Sequence, residues 1–304
     1  MQASGDDFKV TLLGTGCPAV STCRYGAATL VQCGGKNLLV DVGSGVTQRL
    51  VASGLTGADI DALLITHMHS DHLIDLYQFI ISSWHQSRDK PQQIFGPPGI
   101  RAFVDETMAL WKAERELRIA FEQRTSTKAF KLNITEFSGQ ENIFPGTTYD
   151  TTCGTACSVR PVRVEHEPVE PAFGFVFESN GKKLVLSGDT RYCDNLISGA
   201  QGADLLLHEV FVHGTMEVSG TRTRQGLDAV QSYHTLSNEV GKVAQAANAK
   251  ALALTHIVPP DADRATLIAD ARKDFAGPIV VGEDLMCFDL MAQTVRHGDT
   301  VWAL

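Results

Sequence analysis

The sequence predicts a mixed α/β fold of the α+β kind, in which two β-sheets lie between two layers of helices as a four-layered αββα sandwich. Three observations predict it. Short apolar runs of strand length alternate with longer amphipathic segments, this pattern occurs twice along the 304 residues, and no linker rich in Pro, Ser or charge separates the halves. We therefore expect residues 1–304 to form a single domain.

The elements of the first half are bounded by residues that start or end strands and helices. Gly34-Gly35 between two strand-length runs indicates a tight hairpin. Ser44 can cap a helix that Gly54 ends, and Asp71–Trp84 carries apolar residues at helical spacing. The predicted strands are Phe8–Leu13, Ala28–Cys33, Asn37–Val42, Ala62–Thr66 and Ile94-Phe95. The predicted helices are Ser44–Ser53, Asp71–Trp84 and Ile100–Arg124, the last being one helix or a pair.

The second half repeats this plan. Asn180-Gly181 indicates a second hairpin turn, and Ser237 can cap a helix. The predicted strands are Phe130–Phe137, Ser158–Val164, Phe173–Ser179, Lys183–Ser187, Ala203–Leu207, Ala251–Thr255, Ile279–Val281 and Met286–Leu290. The predicted helices are Ser237–Asn248 and Asp263–Phe275.

Two segments do not belong to a plain sandwich, and we expect both to be insertions in the domain. Residues 98–131 are predicted to be helical. Six basic residues against three glutamates in Lys112–Lys131 indicate a solvated helix face, with a dimer or substrate arm as the alternative. Val210–Tyr233 contains three glycines and is predicted to be a long loop, which in compact domains is often a lid.

Composition excludes several classes of protein. The proportions of 43% hydrophobic and 20% charged residues are those of a globular protein and exclude disorder, collagen and a coiled coil. No apolar run reaches the roughly 20 residues that span a bilayer. The polar start, Met1–Asp7, is unlike a signal peptide. These features predict a cytoplasmic protein with no membrane partner.

Charge and cysteine content give two further expectations. With 26 Lys and Arg against 35 Asp and Glu, the net charge is −9, which disfavours binding to nucleic acid. Seven cysteines are too few and too scattered for a disulfide framework. We interpret Cys153 and Cys157 as two unrelated thiols, with a bridge or a metal site as the alternative.

The strongest functional signal is Thr66-His-Met-His-Ser-Asp-His72, directly after a predicted strand and before a predicted helix. His67 and His69 can converge on one metal ion, because the end of a strand fans successive side chains into a loop. Asp71 and His72 begin the helix and can reach a second ion. Imidazole and carboxylate are ligands that suit zinc and related divalent ions.

Three more candidate ligands, His166, Asp189 and His256, follow other predicted strands. In this order behind the HxHxDH motif, they resemble the metallo-β-lactamase superfamily from Gly14 to about Val281. The resemblance implies two Zn²⁺, with Mn²⁺ or Fe²⁺ as alternatives, and a shared hydroxide that attacks the substrate. It implies this ligand set: His67, His69 and His166 for one ion, Asp71, His72 and His256 for the other, and Asp189 as the bridge.

Further motifs resemble the ribonuclease Z and arylsulfatase-like branch of the superfamily. They are Leu13–Pro18, Arg24-Tyr25-Gly26, Leu38–Gly43, Leu207-His208-Glu209 and Tyr233–Ser237. The resemblance implies that His234 donates a proton to the leaving oxygen while Glu209 orients it, and it places Asp71 beside them at the reaction. It also implies that Asp41 orients the metal loop. In the alternative interpretation, His234 only begins a helix and Glu209 is a surface carboxylate.

The expected activity is that of a metal-dependent hydrolase acting on a small-molecule phosphodiester, sulfate ester, carboxylic ester or lactone. Ribonuclease Z carries a long Gly/Pro/Lys-rich arm that this sequence lacks, which, with the acidic charge, argues against a nucleic-acid partner. Arg222 and Arg224 are available for an anionic group. The alternatives are a tRNA 3′-end endonuclease and a hydrolytic dehalogenase of an aryl substrate. A binding module without activity would have lost some of the ligands.

We also expect a homodimer, because relatives of this branch usually pair through the helices that follow the HxHxDH motif. Phe103, Met108 and Trp111 recur there at nearly helical spacing. In the competing interpretation these three side chains face their own core.

Overall fold

Two β-sheets form the centre of the computed structural model, which describes residues 7–139, 143, 157–214, 218, 220–221 and 223–304. One sheet has nine strands and the other six, and helices cover the outer faces of both. The predicted αββα sandwich is therefore confirmed. The assignment of residues 1–304 to one domain stays a prediction.

The strands of the described chain are numbered in sequence order. They are β1 Phe8–Gly14, β2 Ala28–Cys33, β3 Lys36–Val40, β4 Ala62–Leu64, β5 Gln92–Gly96, β6 Leu132–Glu136, β7 Ser158–Val164, β8 Ala172–Ser179, β9 Lys182–Leu186, β10 Leu205–Phe211, β11 Leu252–Val258, β12 Ile279–Val281, β13 Cys287–Asp289, β14 Thr294–His297 and β15 Thr300–Ala303. The spatial order is β15-β14-β13-β1-β2-β3-β4-β5-β6 in one sheet and β12-β11-β10-β9-β8-β7 in the other.

The helices of the described chain are α1 Val46–Ala52, α2 Ser70–Leu73, α3 Leu76–His85, α4 Ile100–Leu110, α5 Lys112–Glu122, α6 Asp194–Gly199, α7 Arg224–Gln231, α8 Val240–Ala246 and α9 Arg264–Arg272, with one 3₁₀ turn at Lys128–Phe130. None of them is long and apolar enough to cross a membrane. The predicted helix at 71–84 is broken into α2 and α3, and the one at 100–124 is a pair.

The core lies on both faces of the six-stranded sheet, as β10 illustrates. Leu205 and Leu207 pack between the two sheets, whereas Leu206 and Val210 pack under α8 and α9. Both faces of this parallel strand are therefore apolar, which explains why its sequence is a continuous apolar run rather than an alternating one.

Two predicted helix caps are wrong. Helix α1 begins after Gly45 rather than Ser44, and α8 begins after Glu239. The Ser237 hydroxyl instead donates a hydrogen bond to Asp270 Oδ2 at 2.6 Å and accepts one from the His213 N–H. A tertiary partner has replaced the local capping bond that the sequence pattern suggested.

The cysteine interpretation is wrong for Cys157, which forms a disulfide with Cys33. Cys33 ends β2 in one sheet and Cys157 directly precedes β7 in the other, so the bridge joins the sheets through the core. Cys153 lies outside the described residues. The two bonded cysteines are 124 positions apart, and no local spacing in the sequence relates them.

The Val210–Tyr233 segment is only partly a loop. Strand β10 extends to Phe211, and α7 occupies Arg224–Gln231. The Thr223 hydroxyl accepts a hydrogen bond from the Gly226 N–H at 3.0 Å, which caps the helix. Gly226 within this segment concealed the helix from sequence analysis.

Candidate metal centre

All seven candidate ligands lie at one end of the sandwich, where strands of both sheets stop. His67 and His69 follow β4, and Asp71 and His72 belong to α2. From the other sheet, His166 follows β7, Asp189 follows β9 and His256 lies in β11. The structure therefore brings together residues that are up to 189 positions apart in the sequence.

The first group of donor atoms contains His67, His69 and His166. His69 Nδ1 lies 3.0 Å from His67 Nε2 and 3.1 Å from His166 Nε2. Asp189 Oδ2 lies 3.9 Å from both of those Nε2 atoms. Four donor atoms within 4.8 Å of one another match a site for one ion.

The second group contains Asp71, His72 and His256. Asp71 Oδ2 lies 3.6 Å from His72 Nε2 and 3.2 Å from His256 Nε2. Asp189 Oδ2 is also close, at 3.4 Å from His72 Nε2 and 3.3 Å from His256 Nε2. The Asp189 carboxylate thus lies between the two groups.

In three of these imidazoles, hydrogen bonds determine which ring nitrogen carries the proton and which is available to a metal. Because a carboxylate or a carbonyl can only accept, His72 Nδ1–H donates to Asp41 Oδ2 (2.8 Å) and His166 Nδ1–H to the Tyr233 carbonyl (2.9 Å). His67 Nδ1 lies 2.9 Å from the Thr66 hydroxyl oxygen, whose own proton goes to Asp41. When each of these rings is neutral, Nε2 carries the lone pair and faces the other donors, as a metal requires.

Protonation of the first group fits a metal as well. Burial lowers the pKa of His67 well below its usual value and also lowers those of His69 and His166, so these rings are neutral. Burial raises the pKa of Asp189, but His256 and His72 outweigh it and hold that pKa well below the usual range. Burial lowers the pKa of His72, but the Asp189 and Asp41 carboxylates outweigh burial and raise that pKa well above its usual value. Buried His72 Nε2 has no hydrogen-bond partner among the described residues, which is what a missing metal bond leaves.

Two of the residues that shape the centre have left-handed backbone conformations. Asp41 has φ = 61° and accepts hydrogen bonds from the Thr66 N–H and hydroxyl. His256 has φ = 41° and lies where the pairing of β10 with β11 skips one residue. This bulge re-aims the His256 ring toward Asp71 and Asp189. Such conformations are uncommon outside glycine and cluster at functional sites.

Gly188, directly before Asp189, is required for the packing of the strands. Its φ is 60°, and a Cβ at this position would lie 2.4 Å from the Phe173 carbonyl oxygen. Any larger residue would push β9 away from β8 and displace Asp189, which follows directly.

His234 and Glu209 form a buried pair next to the second group of donors. Glu209 Oε1 accepts a hydrogen bond from His234 Nδ1–H at 2.9 Å and further ones from the N–H groups of Thr190 and Thr235. Glu209 is 1% exposed, so it is not a surface carboxylate. Burial lowers the pKa of His234, but the Glu209 carboxylate outweighs burial and the net pKa is raised.

A cavity of about 430 Å³ opens onto these groups. Its polar end contains His69, Asp71, Asp189, His234 and His256. Its other lining residues are mostly apolar: Cys17, Pro18, Ala19, Ser70, Phe211, Thr221, Thr223, Gly226, Leu227, Val230, Tyr233, Val258 and Pro259. No lysine or arginine lines it within the described part of the chain.

Several suggested substrate contacts differ from this lining. Arg222 lies outside the described residues, and Arg224 is exposed on α7 away from the cavity. Among the aromatic residues, Phe211 and Tyr233 line the cavity, whereas Trp84 lies in the core and Trp111 stacks on Tyr77. Sequence analysis missed Thr190 and the Tyr233 carbonyl, and only their adjacency to Asp189 and His234 could have suggested them.

Comparison with known proteins gives relatives along most of the chain. A family model described as anti-Pycsar protein Apyc1 matches residues 8–235. Ribonuclease Z of Mycobacterium bovis is 34% identical over 283 residues, which cover 91% of this chain and 96% of the relative. Ribonuclease Z of Mycolicibacterium paratuberculosis is 35% identical, with the same shares of both chains covered.

Solved structures agree on the fold. The metallo-β-lactamase fold protein YhfI of Bacillus subtilis has a TM-score of 0.70 at 21% identity and covers 93% of this chain and 100% of its own. The short form of human tRNase Z has a TM-score of 0.67 at 24% identity and covers 93% and 99%. The resemblance to the metallo-β-lactamase superfamily and its ribonuclease Z branch is therefore confirmed.

One expectation is overturned. We expected a small-molecule substrate and no nucleic-acid partner, but the relatives carry the names of enzymes that act on RNA. Two arguments had supported that expectation. The first was the absence of a long arm. This chain aligns with 96% of the length of the Mycobacterium bovis relative, so that absence does not distinguish the two proteins. The net charge of −9 is an average over the molecule and does not describe the surface around one site.

Proposed function

This chain is a metal-dependent hydrolase that belongs to the family of the anti-Pycsar protein Apyc1 and to the ribonuclease Z family, and from that premise we propose that it is a phosphodiesterase that cleaves RNA at a tRNA 3′ end. The observation that carries the proposal is the buried His234–Glu209 pair beside the two groups of metal donors. A ribose hydroxyl is a poor leaving group, and a positioned acid is what its departure needs.

Seven side chains would hold two ions in this proposal. His67, His69 and His166 would hold the first and Asp71, His72 and His256 the second, and Asp189, between the two groups, would serve both. The donor set of five imidazoles and two carboxylates supports zinc, with Mn²⁺ or Fe²⁺ as alternatives. When bound, two such ions lower the pKa of water and neutralise charge on a phosphoryl group.

The residues of the chain supply the remaining chemistry. Glu209 holds His234 through Nδ1, so that Nε2–H can donate its proton to the oxygen that leaves. One ring nitrogen of His234 lies within 4.8 Å of donor atoms of Asp189 and His256, which is close enough for a group bound there to reach it. Helix α7 covers one side of the cavity through Leu227 and Val230.

The RNA half of the proposal rests on the relatives, since the mycobacterial ribonucleases align along nearly their whole length. The size of the cavity is consistent with entry of one nucleotide rather than a duplex. Its walls are mostly apolar away from the metal end, and a base can pack against such walls.

A direct test uses three substrates with the metal-replete protein: a tRNA precursor with a 3′ trailer, an unstructured RNA of the same length, and bis(4-nitrophenyl) phosphate. We expect one cut near the end of the acceptor stem of the precursor and slow cleavage of the nitrophenyl diester. Cleavage of the nitrophenyl diester without any cut in either RNA would overturn the RNA half. Cleavage of none of the three by protein with two bound ions would overturn the phosphodiesterase itself.

We also propose that the protein is a homodimer, but with a different interface from the one expected from the sequence. Met108 is buried and Phe103 is partly buried against the helical core, so these side chains offer little surface to a partner. Leu117 and Phe121 of α5 are 74% and 89% exposed, and none of the side chains of α5 is buried. We assign the dimer contact to this face of α5. Light scattering that gives 32.9 kDa, the mass of one chain, at micromolar concentration would reject it.

A further inference from the structure

Imidazoles that bind metals usually donate their second ring nitrogen to an oxygen. His67, His72 and His166 each have such a partner in Thr66, Asp41 or the Tyr233 carbonyl. His256 differs, because its Nδ1 is buried and bonds to no other group of the described protein. Its Nε2 lies among the second group of donor atoms, beside Asp71 and Asp189. When Nε2 binds a metal, Nδ1 is the nitrogen that carries the proton.

A second buried atom next to this one is also without a partner. Glu209 Oε1 accepts three hydrogen bonds, but Oε2 accepts none from the described residues. Glu209 pairs with Thr255 in the register of β10 and β11, and His256 is the next residue along β11. A buried proton donor and a buried acceptor therefore lie on adjacent strands without bonding each other.

A cavity of about 30 Å³ lies under the metal centre, and both His256 and Glu209 line it. A single water needs roughly 10–15 Å³ of space measured with a water-sized sphere, so this cavity admits one. Most of the other lining residues are buried, and Asp41, Ser187 and Thr255 add polar atoms to its wall. A buried water of this kind typically makes about three hydrogen bonds.

We propose that this cavity binds one structural water, which accepts a hydrogen bond from His256 Nδ1–H and donates one to Glu209 Oε2. The inference rests on the proposed function in one respect, since it takes His256 Nε2 as a metal ligand. Glu209 is then a positioning residue for two groups, for His234 through Oε1 and for His256 through the water. The proton donor and the second metal site share one carboxylate.

The other buried atoms without partners do not compete for this role. His72 Nε2 faces the carboxylates of Asp71 and Asp189 and is accounted for by a metal. His208 Nε2 is buried too, but His208 lies on the opposite face of β10 from Glu209 and does not line the cavity.

The first test is a crystal structure of the full chain with zinc at about 1.5 Å resolution or better. We expect one water peak within hydrogen-bonding distance, roughly 2.7–3.2 Å, of both His256 Nδ1 and Glu209 Oε2. An empty cavity, or a peak that contacts only one of the two atoms, would overturn the inference.

The second test measures zinc affinity by competition with a chelator. Glu209→Gln places an amide where the water needs an acceptor. Val40 lines the cavity, and the added methylene of Val40→Ile would displace the water. We expect each variant to bind one of its two zinc ions about 10–100-fold more weakly, the usual effect of losing a partner of a metal ligand. Unchanged affinity in both variants would refute the bridge.

His234→Ala is the matched control, because it removes the other partner of Glu209 and leaves the water in place. Its zinc affinity should equal that of the parent protein. If His234→Ala weakened zinc binding as much as Glu209→Gln does, Glu209 would act on the metal site through His234 instead. Failure of the inference is distinguishable from failure of the proposed function. Protein that binds two zinc ions without the water refutes only the inference, whereas protein that binds fewer than two refutes the proposed centre and the inference with it.

Discussion

Asp189 is the carboxylate on which both groups of donor atoms converge, so its replacement should cost more than the loss of any single histidine. Asp189→Asn keeps the shape of the side chain but removes the charge that faces four ring nitrogens. We expect this variant to lose at least one of two ions, as measured by elemental analysis of the protein after dialysis. Asp228→Asn, at an exposed position of α7, should retain both. Two ions retained in Asp189→Asn would contradict the bridging role.

Replacement of His234 tests how the leaving oxygen obtains its proton. His234→Ala should keep both ions and slow the reaction roughly 10²–10⁴-fold, which is the usual contribution of a positioned acid. The loss should be largest for alkoxide leaving groups and smallest for nitrophenolate, which departs without a proton. Equal losses for all leaving groups would show that His234 does not act as the acid.

The His234–Glu209 pair also predicts that kcat depends on pH. Burial lowers the pKa of His234, but the neighbouring Glu209 carboxylate raises it further than burial lowers it. A general acid works only while protonated, so kcat falls as pH rises through this pKa. Glu209→Gln removes the charge, lowers the pKa and should move the alkaline limb of the kcat profile to lower pH. The measurement is made with excess zinc, and a limb that stays in place or moves upward would argue against the pairing.

The candidate ligands could be predicted from the sequence for different reasons. His67, His69, Asp71 and His72 lie within six residues, and their spacing alone indicates a metal site. His166, Asp189 and His256 needed the resemblance to a known superfamily, because a single polar residue after a strand is common. The partners that orient them escaped prediction, since the Tyr233 carbonyl that holds His166 belongs to the backbone and has no sequence signature.

Helix α7 lies in a segment that was predicted to be a loop, and it closes one side of the cavity. Thr223→Ala removes its cap, which is worth about 0.5–2 kcal/mol of helix stability. We expect a higher KM, because Leu227 and Val230 are held less firmly against the cavity, and little change in the midpoint of global unfolding.

A second cap provides the control for this prediction. Asp263 caps α9 by accepting from the Thr266 N–H, and neither residue lines the cavity. Asp263→Ala should lower the unfolding midpoint and leave KM unchanged. If Thr223→Ala behaved like Asp263→Ala, α7 would be a structural helix rather than a wall of the substrate cavity.

The architecture of the whole molecule followed from local patterns, because alternating strands and amphipathic helices predict layers. Contacts between the two halves could not be predicted from local patterns, and the Cys33–Cys157 disulfide is the clearest example. Cys157→Ser should lower the free energy of unfolding by about 2–5 kcal/mol, the usual effect of removing a native disulfide. Urea titration under non-reducing conditions measures it. Cys23→Ser, at an exposed free cysteine, should have no effect, and equal stability of the two variants would contradict a bridge in solution.

The Cys33–Cys157 bond also closes part of the polypeptide into a covalent ring. The ring includes the HxHxDH motif and the exposed helix α5, whose side chains are all at least partly open to solvent. In protein dilute enough to be monomeric, a protease that cuts within α5 would therefore open the ring without releasing a fragment. The nicked protein should run as one band on a non-reducing gel and as two after reduction. Both halves of the metal centre would stay tethered, because His67 lies inside the ring and His256 lies on the chain that leaves it.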